Sequence, residues 1–159
     1  MEEIKKYLTQ NLNLYNVNDI NLNNYQIIYD LFFNNIINTS VNDNIYFNYV
    51  GLYYKEQKDY DNMIKYYLMA ADKGNTNAMC DLAHYYYEQK DYTNMIKYYL
   101  MATNKDDTDA MYNLGLYYNE QKDYTNVTKY LLMAIENSNF MPFKNEEIIS
   151  DLLIHIIKN

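Results

Sequence analysis

Cys80 and His84 stand four residues apart, the interval that brings two side chains onto one face of a helix, and a thiolate beside an imidazole is a pair that zinc accepts. A structural zinc site needs about four ligands, however, and the only other histidine, His155, lies far along the chain, while Cys80 is the single cysteine. The pair is therefore read as groove or core residues, not as a metal centre. The run Asp106, Asp107, Thr108, Asp109 gathers carboxylates but lacks the glycine and closing glutamate of a calcium loop, so it reads as a helix cap with a solvated acidic turn. For catalysis there is neither a glycine-rich phosphate loop nor a glycine-flanked serine elbow. Ser40, Ser138 and Ser150 have no patterned partner, which leaves a hydrolase or nuclease reading without residues to carry it. The chain is expected to be no enzyme, with no cofactor and no catalytic or metal site.

The charge narrows the partners. With 13 basic residues, all of them Lys, against 21 acidic ones, the net charge is -8 and the isoelectric point about 4.6. Such a field repels phosphate backbones and anionic lipid, so neither nucleic acid nor membrane is expected as a partner. No apolar run approaches the roughly 18 residues that a membrane span needs. The first residues carry Glu2, Glu3, Lys5 and Lys6 and lack the apolar stretch of a secretory signal. A lone cysteine excludes an internal disulfide and suits a reducing compartment. A cytoplasmic protein is expected, and the sequons at Asn38 and Asn126 would then stay unmodified.

The elements that must position these residues are announced by repetition. Glu-Gln-Lys-Asp-Tyr begins at Glu56, Glu88 and Glu120, a constant interval of 32 residues, and a fixed period in that range is the mark of stacked units. The same interval maps residues 62–70 onto 94–102 without a mismatch. It maps them onto 126–134 with apolar exchanges and Thr128 for Ile64. Within each copy the apolar residues follow helical spacing twice. Ala78, Met79, Leu82, Ala83 and Tyr86 make one stripe, and Met95, Tyr99 and Ala102 another. Three Gly and one Pro in 159 residues leave few breaks. Asn44, Thr76 and Thr108 are read as the caps of the first helices and Asp59, Asp91 and Asp123 as those of the second, with Gly74 as a left-handed stop. Gly51, Ala83 and Gly115 on the first helices, with Ala70, Ala102 and Ala134 on the second, allow two helices to approach closely. Most of the 22 Tyr are read as packing residues with a wet hydroxyl.

Residues Tyr112 to Tyr118, Asp123-Tyr124, Lys129-Tyr130 and Met133-Ala134 look like the helix-turn-helix of tetratricopeptide repeats. The joint Met69-Ala70-Ala71-Asp72-Lys73-Gly74-Asn75, leading to Ala78-Met79, is closer to Sel1-like repeats. The composition also resembles the Asn- and Tyr-rich Sel1-like repeat proteins of giant DNA viruses. Three departures accompany the resemblance: a turn without the extra residues typical of Sel1, a period shorter than the usual tetratricopeptide unit, and Met63, Met95 and Val127 where a small Ala is usual. What it implies is an all-α fold, a right-handed α-solenoid of antiparallel helix pairs. Residues 1–44 would form degenerate capping helices, residues 45–76, 77–108 and 109–139 the three repeats, and residues 140–159 a C-terminal capping helix, in one structural domain. In related repeats the first helices line a concave groove. The resemblance thus points to Asn48, Leu52 and Lys55, then Cys80, His84 and Tyr87, then Tyr112, Leu116 and Asn119, rimmed by Glu56, Glu88 and Glu120. Such a surface suits a peptide anchored by apolar side chains, flanked by Lys or Arg. The cationic clamp that some tetratricopeptide domains close on a terminal carboxylate is absent, since Lys55 is the single cation among these residues.

The ends are read from their stripes. Ile4, Tyr7, Leu8 and Leu12, then Ile27, Ile28, Leu31, Phe32, Ile36 and Ile37, give two N-terminal helices around the polar residues 16–24. After Pro142, the acids Glu146 and Glu147 open a helix bearing Ile148, Ile149, Leu152, Leu153, Ile156 and Ile157. Two functions from different classes follow. One is an intracellular interaction module, a monomer or weak homodimer that docks a protein or peptide partner in its groove and scaffolds a viral or host complex. The other is a structural protein self-assembling through the C-terminal apolar helix.

Overall fold

The computed structural model describes residues 43–137, and among them the chain forms six helices and no strand. They are α1 (Asn44–Glu56), α2 (Tyr60–Asp72), α3 (Thr76–Glu88), α4 (Tyr92–Thr103), α5 (Thr108–Glu120) and α6 (Tyr124–Asn137). The chain divides between Asn75 and Thr76 into two compact units. The first holds α1 packed on α2; the second holds α3 packed on α4, α4 on α5, and α5 on α6. An all-α helical repeat is what the 32-residue period requires. The expected capping helices lie almost wholly outside the described residues.

The turn inside each hairpin shows why the period is short. Lys58, Lys90 and Lys122 adopt left-handed φ values of 58°, 59° and 57°, a conformation that glycine usually supplies. At the first turn the Lys58 amide donates to the Lys55 carbonyl, and the Asp59 amide reaches back to Tyr54 at 3.0 Å. This pair of bonds closes a helix with a single left-handed residue. The Asp59 side chain then accepts from the Asn62 amide at 3.1 Å and starts α2. One aspartate thus ends one helix and begins the next, as Asp91 and Asp123 do in the other hairpins.

The caps of the first helices fall one residue before their expected positions. Asp43 accepts from the Ile45 and Tyr46 amides, and Asp107 from Ala110, while Asn44 and Thr108 are already helical. A carboxylate is the stronger acceptor and favours the positive helix start. Asn75 occupies the corresponding place before α3, and its side-chain Nδ2 donates to the Asn44 backbone carbonyl at 3.3 Å. Gly74 stops α2 as expected, with φ 87° and the Asn75 amide bonded to the Ala70 carbonyl. Asp106 takes over this task after α4, with φ 60° and the Asp107 amide bonded to Ala102.

Burial follows the expected stripes. Ala70, Ala102 and Ala134 are fully buried, as are Ala78, Leu82 and Ala83. Met63, Met95 and Val127, larger than the alanine usual in the resembled repeats, are core residues too. A Cβ added at Gly51 would come within 2.6 Å of the Tyr67 ring, and one at Gly115 within 2.6 Å of Leu131 Cδ2, so these glycines set how closely the helices approach.

Tyrosines tie the two helices of every hairpin together. Tyr54 stacks on Tyr66, Tyr86 on Tyr98 and Tyr118 on Tyr130, with ring centroids 5.5, 5.6 and 5.6 Å apart and planes within 12° of parallel. Lys65, Lys97 and Lys129 lie over the second ring of each pair at 5.3, 4.9 and 4.8 Å from its centroid. Aromatic pairs of this kind contribute about 0.5 to 1.5 kcal/mol beyond their burial.

Candidate functional site

The nine residues expected to line a groove sit on the first helix of each hairpin. On α1, Asn48 and Leu52 are half-buried and Lys55 is exposed. The Asn48 Oδ1 is buried without a hydrogen-bond partner among the described residues. These three belong to the first unit and are placed there alone.

In the second unit α3 contributes Cys80, His84 and Tyr87, and α5 contributes Tyr112, Leu116 and Asn119. Three of them, His84, Tyr87 and Leu116, line one cleft of about 180 Å³. Met95 and Tyr99 of α4 complete its wall, together with Asn113, Tyr117 and Glu120 of α5. Helix α5 therefore turns the stripe Asn113, Leu116, Tyr117, Glu120 toward the recess, about one residue around from the expected stripe. The spacing of three, one and three residues is that of a single helical face.

The other three residues have other duties. Tyr112 packs against the core pair Val127 and Leu131. Asn119 is half-buried with its Oδ1 unpartnered among the described residues. The Cys80 thiol donates to Asp107 Oδ1 at 3.7 Å, the same oxygen that caps α5. Burial pushes the Cys80 thiol far above its ordinary range, and the Asp107 carboxylate adds to the shift. The neutral thiol is thus favoured, unlike the thiolate that a metal or an electrophile needs. Among the described residues no cluster of three His, Cys, Asp or Glu could hold a metal ion.

Around the cleft the rings are ordered. His84 meets Tyr99 edge to face at 5.7 Å and 85°. Tyr92 bridges Tyr87 at 6.1 Å and Tyr117 at 5.5 Å, which joins α3, the start of α4, and α5. The Tyr87 hydroxyl donates to both carboxylate oxygens of Glu120 at 3.2 Å. That hydrogen bond, with the negative charge behind it, raises the Tyr87 phenol above its usual value, and burial does the same to Tyr99. Both phenols stay neutral near pH 7, so the cleft offers aromatic side chains, an aliphatic floor and one carboxylate.

Glu120 was legible as a rim residue, whereas Tyr99 and Tyr117 were not. Tyr99 belongs to the second helix, whose residues were all assigned to packing, and Tyr117 is one step around α5 from the expected face. No protein-family model matches the chain, and no curated protein matches it. No helix among the described residues is long and apolar enough to cross a membrane.

Proposed function

We propose that this chain is a non-catalytic interaction module of the Sel1-like or tetratricopeptide type, a right-handed solenoid with capped ends that docks a protein or peptide. The observation that carries the reading is the cleft where half-exposed side chains of α3 and α5 converge over α4. Tyr87 is 41% exposed there, although it is a large aromatic residue. Rigid aromatic side chains around an aliphatic floor are the usual anchors of protein recognition. The Asn- and Tyr-rich composition supports a place among the repeat proteins of giant DNA viruses, and with it a scaffold working in the host cytoplasm.

The test is affinity capture from that cytoplasm with the native chain and with a Tyr87→Ala, Leu116→Ala double variant. Loss of specific partners by the variant is expected, provided that its helical circular dichroism is retained. An unchanged set of partners would falsify the docking assignment.

A second reading, self-assembly, draws on the apolar stripe from Ile148 to Ile157, which lies outside the described residues. Sedimentation at high micromolar concentration separates the two, because a strict monomer leaves no assembly through that stripe.

A further inference from the structure

We propose that the cleft of the second unit receives one cationic side chain, a lysine ammonium or an arginine guanidinium, presented by the docked segment. The inference rests on the docking reading above and adds the chemistry of the residue that enters. Size comes first. At about 180 Å³ the recess is smaller than the roughly 300 to 1,000 Å³ of small-molecule sites, and it suits a single extended side chain.

Its walls come next. The rings of Tyr87, Tyr99 and Tyr117 border the space, with His84 beside Tyr99, and tyrosine rings attract cations through their quadrupole. Leu116, with the buried Met95 behind it, supplies the aliphatic surface along which a lysine or arginine stem can lie.

Charge decides between occupants. Glu120 is exposed at this cleft, held by the Tyr87 hydroxyl, and has no ion-pair partner among the described residues. An aliphatic occupant would strip water from that carboxylate and return nothing. An acidic occupant would be repelled by it and by a chain of net charge -8. A cation alone satisfies rings and carboxylate together. The Tyr87 bond also fixes where the charge stands, so less side-chain entropy is lost on binding.

The test uses the 159-residue chain, labelled with nitrogen-15, and the blocked tripeptides acetyl-Gly-X-Gly-amide with X as Lys, Arg, norleucine or Glu. Chemical shifts of Asn113, Tyr117 and Glu120 report occupancy at millimolar peptide. Lys and Arg peptides are expected to bind at least tenfold more tightly than the norleucine peptide, and the Glu peptide not at all. Glu120→Gln, which still accepts from Tyr87, should weaken the Lys peptide about tenfold and leave norleucine unchanged. Added salt should weaken the Lys peptide in the native chain and have little effect in the variant. Equal binding of Lys and norleucine overturns the cation preference while leaving a docking cleft. Silence toward all four peptides also overturns it, and the docking reading is then judged by the capture experiment alone.

Discussion

The α1–α2 and α3–α4 hairpins have the same second-helix sequence, residues 62–70 and 94–102, yet they meet it with different partners. In the first, Gly51 faces Tyr67, whose ring is shut in completely; in the second, Ala83 stands at the corresponding place, and Tyr99, itself only 3% exposed, borders a cleft. One methyl group is the chemical difference at that position. The hairpins also stop differently, with Gly74 after the first and Asp106 after the second, both in the left-handed region. A shared backbone plan therefore tolerates different local chemistry, and where the methyl stands the tyrosine forms part of a recess.

The sharpest way to break this comparison is Gly51→Leu. The added side chain would have to occupy space held by the buried Tyr67 ring, and a loss of about 3 kcal/mol is expected from overpacking, read as a lower urea midpoint. Gly51→Ala is the finer probe. Its Cβ would press on ring atoms that are boxed in, while alanine gains up to about 1 kcal/mol of helix propensity, so a net loss of about 1 kcal/mol is expected. A gain would show that Tyr67 can take up the position of Tyr99 freely.

Exchanging the stops should act in opposite directions. Gly74→Asp is expected to destabilise by about 1 kcal/mol, and Asp106→Gly to stabilise by up to about that much, because a left-handed φ strains any residue with a Cβ. Thermal melts of both variants check the pair of signs.

The smallest effect is on acid stability. The carboxyls of Asp59, Asp91 and Asp123 are held below their usual range, first by the side-chain amides of Asn62, Asn94 and Asn126 and then by the backbone bonds of the caps. A depressed folded value means that this stabilisation is present above the ordinary aspartate value near pH 4 and fades as pH falls through the folded values. Urea midpoints measured from pH 6 to pH 2 should decline below about pH 4, and Asp91→Asn should make that decline shallower.

How much of this was legible follows from which signals were periodic. Repetition at 32 residues located the helices and the close-packed small residues, because a side chain that must fit between two helices leaves its mark in every copy. Repetition could not choose between neighbouring columns, though. Asp43, Asn75 and Asp107 recur with the same interval as Asn44, Thr76 and Thr108, and both columns hold residues able to cap a helix, so the period alone does not select the former. Lys58, Lys90 and Lys122 gave no hint of left-handed backbone, since propensity alone assigns that task to glycine; the packing of the hairpin overrides it. Of the residues that line the cleft, His84, Tyr87 and Leu116 were named from the sequence because they lie on first helices. Tyr99 escaped because a groove drawn from first helices leaves out the helix between them.

The Cys80 thiol, tethered to the aspartate that starts α5 and kept in its protonated form, is a poor target for a maleimide dye at neutral pH. A second cysteine engineered at an exposed position such as Lys105 would take the label almost alone. Fluorescent reporters could thus be attached one at a time without first removing the native sulfur.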